Sequence, residues 1–115
     1  MLFRSLQQAL ANLVDNAIKY NLPGGRVEIG ATQNDHQVVL SVKDTGIGIP
    51  AEEIPRIWER LFRGDKSRSQ KGLGLGLCLV KAVVEAHRGQ VEAVSQPGEG
   101  SEFTIRLPTN SAQAG

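Results

Sequence analysis

Apolar residues near the start of the chain recur every three or four positions, the spacing of one helical face. They are Leu2, Leu6, Leu10, Leu13 and Ala17. This pattern predicts an amphipathic helix that runs to about Tyr20 and is stopped by Pro23-Gly24-Gly25. Because the helical pattern begins almost at residue 1, we expect the sequence to be an N-terminally truncated piece of a longer protein.

Four later stretches alternate apolar and polar residues, which predicts β-strands. The first two cover residues 27–31 and 38–42 and form a hairpin. The last two cover residues 90–94 and 102–107. Each pair is separated by residues that are common in turns.

Two helical segments lie between the strand pairs. A short one carries apolar residues within 54–61, and a longer one reaches His87 and is ended by Gly89. The order of elements predicts an α+β domain over residues 1–108, with helices on one face of a sheet. The small polar residues 109–115 are expected to form a disordered tail.

Composition limits the class of protein. The 115 residues suffice for one domain. Thirteen basic and 12 acidic residues give a net charge of +1, so no nucleic-acid partner is expected, since such binders carry a basic excess. Cys78 is the only cysteine, which favours a reducing compartment. No set of His and Cys residues has the spacing of a zinc site.

One edge of the first predicted helix is polar beside its apolar stripe. At about 100° per residue, Asn12, Asn16, Lys19 and Tyr20 fall together there. Asparagine is a poor helix former, and two carboxamide oxygens one turn apart suit a hard cation. A solvated helix face is the alternative that this segment alone leaves open.

Two glycine-rich segments are candidates for binding a ligand close to the backbone. In Asp44-x-Gly46-x-Gly48 the carboxylate could accept from an amino group of the ligand, although ordinary turns use the same residues. The segment Gly72-x-Gly74-x-Gly76 opens a helix, whose free N–H groups favour anions. It matches neither the dinucleotide fingerprint nor the P-loop.

A charged segment without apolar periodicity precedes the second glycine motif. It spans residues 63–71, contains Arg63, Lys66, Arg68 and Lys71, and predicts a mobile loop. Basic residues ahead of a helix N-terminus would suit phosphates, whereas a solvated run of charges is the alternative.

Five motifs, taken in order, give the sequence a specific resemblance. They are Asn12–Tyr20, Asp44–Pro50, Ile57–Arg63 with Asp65–Arg68, Gly72–Leu77 and Gly98–Phe103. They resemble the N, G1, F and G2 boxes and the last glycine motif of two-component sensor histidine kinases. Over residues 2–108 the chain resembles their catalytic and ATP-binding domain. This implies the Bergerat fold, which is shared with gyrase B, MutL and Hsp90. The expected architecture is a two-layer α/β sandwich with a mixed sheet, helices on one face and a lid loop at about residues 62–74.

The resemblance implies ATP and Mg²⁺ as cofactors. Asn16 is the expected metal ligand, with Asn12 supporting the metal or the phosphates. Asp44 is expected to accept from the adenine amino group, and Tyr20 to lie along the adenine or ribose. Ser101 is expected to help hold a water beside Asp44.

The resemblance also implies how the phosphates are held. Lys19, Arg63 and Arg68 are expected to reach them, and with Asn16 they form the expected catalytic set. Leu75, Gly76 and Leu77 are expected to offer backbone N–H groups. The expected nucleotide site is completed by Gly46, Gly48, Ile49, Gly72 and Gly74.

The partners follow from the same resemblance. The phosphoacceptor histidine is expected on an upstream helical dimerisation domain, and a response regulator is reached through the full-length kinase. We expect the isolated domain to be a monomer, the full-length protein a homodimer, and this part a cytoplasmic domain of an inner-membrane sensor kinase. Leu73 departs from the family, which often has Ser or Thr there, and Trp58 replaces a common Phe.

Two other functions are open. One is an ATP-hydrolysing conformational switch like gyrase B, MutL or Hsp90, in which a carboxylate one turn before the metal asparagine activates water. The amide of Asn12 stands at that position and cannot take a proton, which disfavours hydrolysis. The other is a non-catalytic nucleotide-binding regulator, which we rank last because the polar residues that the family uses are present.

Overall fold

The computed structural model describes residues 2–59 and 73–108. Its elements are α1 (Leu2–Lys19), β1 (Val27–Gln33), β2 (Gln37–Asp44), the 3-10 helix Ala51–Arg56, α2 (Leu73–Ala86), β3 (Gln90–Gln96) and β4 (Gly100–Pro108). The predicted first helix and four strands are confirmed, with strands up to two residues longer at an end. Residues 73 and 74 of the predicted lid open α2, and the rest of the lid and the tail 109–115 lie outside the described residues.

The four strands form one sheet in the order β1-β2-β4-β3. All three pairings are antiparallel, so the expectation of a mixed sheet is corrected for the described residues. The reason lies in the connections. Strands β2 and β3 run in the same direction and are joined through α2, but β4 returns between them and separates the two parallel strands.

The inner face of the sheet is apolar and is covered by α1 and α2. Leu40 lies opposite Ile105, and Val42 lies opposite Phe103. The ring of Trp58 packs edge-on against Phe103, with centroids 5.9 Å apart. The buried core consists of Ala9, Leu13, Ala17, Val42, Ile57, Val80, Val84, Phe103 and Ile105. The two-layer arrangement with helices on one face is therefore confirmed.

The outer face of the sheet is largely polar, because alternate residues of each strand point away from the helices. Arg106 forms an ion pair there with Glu92 at 2.7 Å. Ser41 also lies on this face, since it alternates with the inward-facing Leu40 and Val42.

The short helix between the strand pairs ends earlier than its apolar pattern predicts. Pro55 lies inside the segment, which is a 3-10 helix that ends at Arg56. Proline has no N–H to donate, so it weakens a helix that would continue through it. Ile57 and Trp58 follow the helix and still pack against the core, and Leu61 lies outside the described residues.

The end of α2 differs from the predicted glycine cap. Arg88, not Gly89, has the left-handed conformation, with φ of 64°. The amide of Gly89 donates to the Val84 carbonyl at 2.9 Å, and the Arg88 amide donates to the Glu85 carbonyl at 2.9 Å. These two bonds form a Schellman motif. Gly89 is required instead by close packing, because a Cβ there would collide with the carbonyl oxygen of Arg106.

Candidate nucleotide site

The polar edge of α1 contains one strongly buried amide. Asn16 is only 8% exposed, and no hydrogen bond to its side chain occurs among the described residues. Asn12, one turn earlier, is half-buried. Asn16 therefore keeps only a small exposed area on this edge of α1, where a carboxamide oxygen is suited to contact a hard cation.

Lys19 forms an ion pair within its own helix, α1. Its ammonium forms an ion pair with Asp15 at 3.0 Å, and both side chains are largely exposed. Such exposed pairs contribute little to stability, so the ammonium can leave Asp15 for a more strongly charged partner. The half-buried Tyr20 follows directly at the end of α1.

Asp44 ends β2 and is the buried carboxylate of the site, with 7% exposure. Its Oδ1 accepts from the Gly46 amide at 2.8 Å and from the Ser101 amide at 3.2 Å. No donor to Oδ2 occurs among the described residues. Burial raises the pKa of Asp44 above its ordinary value of 3.8, and the two amide donors partly offset that rise. One oxygen is thus fixed by the backbone, while the other can accept from a ligand.

The loop after Asp44 is held between the end of α1 and the turn from β3 to β4. The Ile47 amide donates to the Tyr20 carbonyl at 3.1 Å, and the Gly98 amide donates to the Ile47 carbonyl at 2.8 Å. Gly48 has φ of 77°, and a Cβ there would collide with the Gln96 carbonyl. Gly48 is therefore required by close packing of backbone within the protein, and the approach of a ligand to these glycines stays a prediction.

A second set of hydrogen bonds ties the segment after α1 to the same loop. Asn21 donates through Nδ2 to the Arg26 carbonyl at 2.9 Å and accepts from Thr45 Oγ1 at 3.1 Å. The Arg26 amide donates to Thr45 Oγ1 at 2.8 Å. Sequence reasoning missed Asn21 and Thr45. Their signal was weak, because each is a polar residue in a turn and the partners are far apart in sequence.

Sequence reasoning also missed Ser95 of β3, which contacts the glycine loop and β4. Its Oγ accepts from the Ile49 amide at 2.7 Å and lies 2.8 Å from Ser101 Oγ. Strand alternation could have placed Ser95 on the inner face with Ala93 and Val91. Its partner in the glycine loop could not be read from that pattern.

The structure brings together several of the expected site residues. Asp44 and Ser101 face each other across β2 and β4, and the loop with Gly46, Gly48 and Ile49 contacts both β3 and the end of α1. Leu77, one turn into α2, packs its side chain against the core. Gly74, Leu75 and Gly76 lie in the first turn of α2, as the anion-binding prediction needs. Arg63, Arg68 and Gly72 lie outside the described residues.

No three His, Cys, Asp or Glu side chains in the described part lie close enough to hold a metal ion. None of the described helices is both long and apolar enough to cross a membrane.

Comparison with known proteins defines the class to which this fold and site belong. Residues 2–111 match the family described as histidine kinase-, DNA gyrase B-, and HSP90-like ATPase. The chain belongs to this family. Membership of this family implies that the chain binds a nucleotide.

Individual relatives narrow the similarity to sensor kinases. The chain is 48% identical over 105 residues to the sensor-like histidine kinase SenX3 of Mycobacterium tuberculosis, covering 90% of this chain and 26% of the relative. It is 42% identical to the sensor histidine kinase RppB of Synechocystis over 105 residues, with 90% and 23% covered. The chain thus spans about a quarter of the length of these relatives.

Solved structures agree. The mycobacterial sensor histidine kinase MprB superposes with a TM-score of 0.82 at 39% identity, covering 91% of this chain and 72% of that one. The catalytic domain of histidine kinase ThkA gives a TM-score of 0.78 at 28% identity, with 91% and 66% covered. The resemblance that the five motifs predict, to the catalytic domain of a sensor histidine kinase, is confirmed.

Proposed function

We propose that this chain is the catalytic part of a protein-histidine kinase, which binds Mg·ATP and presents its γ-phosphate to a histidine on an upstream dimerisation domain. That domain would pass the phosphoryl group to a response regulator in two-component signalling. The full-length protein would then be a homodimer, and this chain a monomeric cytoplasmic domain of an inner-membrane sensor. The similarity to sensor histidine kinases over 90% of the chain supports this proposal.

The observation that carries the proposal is the pair of amides on α1. Asn16 is 8% exposed and its side chain makes no hydrogen bond among the described residues, which fits a side-chain oxygen that ligates Mg²⁺. Asn12, one turn earlier, offers no base for the activation of water. A nucleotide site that has an amide at the position of the hydrolytic base favours transfer to another acceptor.

The base end of the nucleotide would be read at Asp44. Its Oδ2 has no donor among the described residues and can accept from the adenine amino group. The amides of Gly46 and Ser101 hold the carboxylate in a fixed orientation. Ser101 lies opposite Asp44, where a water beside the carboxylate would be in reach of its hydroxyl.

The phosphate end would be held by cations and backbone amides. Lys19 would exchange Asp15 for the phosphates, and Arg63 and Arg68 would approach from the lid. The first turn of α2 carries unpaired N–H groups that favour anions. A Mg²⁺ ion held by Asn16 would supply neutralisation of the phosphate charge. Phosphoryl transfer depends mainly on such positioning and charge stabilisation.

The decisive experiment measures transfer of label from γ-labelled ATP. Mixed with a separately produced dimerisation domain, the chain is expected to label a histidine there, giving an acid-labile, base-stable product. The rate in trans should fall well below that of the joined protein, because cutting the linker lowers the effective concentration. The chain alone is expected neither to label itself nor to turn over ATP. Robust turnover by the lone chain would favour the hydrolytic switch, and nucleotide binding without transfer would favour a regulator.

A further inference from the structure

Ser95 makes three short hydrogen bonds to different parts of the site. Its Oγ accepts from the Ile49 amide of the glycine loop at 2.7 Å. It donates to the Gly100 carbonyl at the start of β4 at 2.8 Å. It also lies 2.8 Å from Ser101 Oγ. A serine hydroxyl has one proton and two lone pairs, so these three contacts use its whole capacity.

The identity of the three partners fixes the direction of each bond. The Gly100 carbonyl can only accept, so it takes the one proton of Ser95. The Ile49 amide can only donate, so it occupies one lone pair of Ser95 Oγ. The remaining lone pair must receive the proton of Ser101. Ser101 Oγ therefore turns its own lone pairs, and not its proton, away from Ser95.

The direction of the Ser101 hydroxyl affects which ligand atoms can bind beside it, because Asp44 is its neighbour on β2. Residues directly opposite on neighbouring antiparallel strands have Cβ atoms about 4.5–5.5 Å apart, and Asp44 and Ser101 are such a pair on the inner face. Asp44 Oδ2 accepts no hydrogen bond from any of the described residues. Two neighbouring acceptors suit an exocyclic amino group, directly or through a water, and they repel a carbonyl oxygen.

We propose that Ser95 is the positioning residue that sets base specificity, by holding the Ser101 hydroxyl as an acceptor beside Asp44. The inference rests on the proposed nucleotide site and deepens it. Adenine presents an amino group at this position of the ring and guanine presents a carbonyl oxygen. Without Ser95, the Ser101 hydroxyl is free to rotate and to donate to that carbonyl.

The test compares ATP and GTP affinities of the 115-residue chain and its variants. We expect Ser95→Ala to lower the ratio of ATP to GTP affinity by about three- to tenfold, the scale of one oriented hydrogen bond. The ratio does not depend on the folded fraction, so partial loss of stability leaves it readable. Ser41→Ala removes a serine hydroxyl from the solvent-facing side of the same sheet and is expected to leave the ratio unchanged.

A pair of β-branched variants guards against a purely structural effect. Ser95→Thr keeps the hydroxyl and is expected to retain the wild-type ratio, whereas Ser95→Val has nearly the same shape and is expected to lose it. Equal ratios for these two variants would overturn the role of Ser95 while leaving the nucleotide site intact. If the wild-type chain bound neither nucleotide, the proposed function itself would be overturned.

Discussion

The backbone amide of Ser101 donates to Oδ1 of Asp44 across 3.2 Å, and the two residues lie directly opposite each other in β4 and β2. Together with the Gly46 amide at 2.8 Å, this contact fixes the buried carboxylate from two sides. The donors come from β4 and from the loop after β2, so the orientation of the carboxylate depends on the fold. A group fixed in this way can discriminate between ligands, because its free oxygen has little freedom to adapt.

Asp44→Asn is expected to weaken ATP binding on the order of ten- to a hundredfold. A charge-assisted hydrogen bond contributes about 1.5–3 kcal/mol, and the asparagine amide presents a donor where the ligand also donates. Binding of GTP is expected to change less, so the preference for ATP falls. Titration calorimetry with both nucleotides measures this. Asp35→Asn removes the same charge in the exposed turn between β1 and β2 and serves as the control. An unchanged ATP affinity in Asp44→Asn would show that the carboxylate does not read the base.

The raised pKa of Asp44 predicts a pH-dependent stability in the absence of nucleotide. Well below pH 3.8 Asp44 is protonated in both the folded and the unfolded chain, so its titration does not change the free energy of unfolding. As the pH rises from 3.8 through the raised native pKa, the carboxyl ionises more readily in the unfolded chain than in the buried site. The free energy of unfolding therefore falls over this range. Asp44→Asn lacks this loss.

Urea unfolding of both proteins from about pH 3 to 7 isolates this contribution, because every other titrating group is shared. The free energy of unfolding of Asp44→Asn, minus that of the wild type, is expected to grow as the pH rises above 3.8 and then to level off. A difference that shrinks with rising pH would show that the amides of Gly46 and Ser101 outweigh burial.

Two glycines with similar backbone angles separate conformational strain from steric fit. Gly48 has φ of 77° and Gly98 has φ of 84°. A Cβ at Gly98 would meet nothing within 4 Å, whereas one at Gly48 would collide with the Gln96 carbonyl. Gly98→Ala is expected to destabilise the chain by about 1–2 kcal/mol, the strain of a left-handed residue. Gly48→Ala is expected to destabilise it more and to weaken nucleotide binding, because Ile49 must move away from Ser95.

Chemical unfolding and a nucleotide titration on both glycine variants measure these two effects. If Gly48→Ala and Gly98→Ala had equal stability and equal affinity, the packing of the loop against the turn between β3 and β4 would be unimportant for the site.

Local patterns predicted the elements of this fold well, because each element has its own periodicity. The spacing of Leu6, Leu10 and Leu13 is sufficient for α1. Strand order was not accessible in the same way. The position of β4 between β2 and β3 depends on how the layers pack. The alternation of apolar and polar residues within β4 would be the same if β4 lay at the edge of the sheet.

Sequence motifs identified candidate residues of the site but did not identify the contacts between them. Asp44 and Asn16 belong to motifs and are buried, and the roles expected of them stay predictions. Ser95 is an ordinary strand serine until Ile49 and Ser101 are placed against it. Such a contact spans 46 residues between Ser95 and Ile49, and no local pattern reports it.

The cap of α2 predicts opposite effects for two neighbouring substitutions. Arg88 is a non-glycine residue with φ of 64°, so Arg88→Gly removes left-handed strain. Part of the gain is offset by the greater freedom of glycine in the unfolded chain, and the expected net stabilisation is about 0.5 kcal/mol. Gly89→Ala is expected to destabilise, because its Cβ would collide with the Arg106 carbonyl. Thermal unfolding distinguishes the two variants. A stabilising effect of Gly89→Ala would contradict the close packing of Gly89 against the Arg106 carbonyl.

The last prediction concerns Asn16, whose role in catalysis and role in stability are expected to oppose each other. Its side chain makes no hydrogen bond among the described residues, and Asn is a poor helix former. Asn16→Ala is therefore expected to leave the free energy of unfolding unchanged or raised. Loss of an Mg²⁺ ligand is expected to remove the effect of Mg²⁺ on ATP affinity, and to slow phosphoryl transfer to the dimerisation domain by at least about a hundredfold.

Gln8→Ala, at an exposed position of the same helix, is the control and is expected to change neither the Mg²⁺ dependence of ATP affinity nor the rate of transfer. The measurements are unfolding, ATP titration with and without Mg²⁺, and transfer of label from γ-labelled ATP. Transfer undiminished by Asn16→Ala would contradict the kinase proposal, whereas a loss of stability that matched the loss of transfer would give Asn16 a structural role instead.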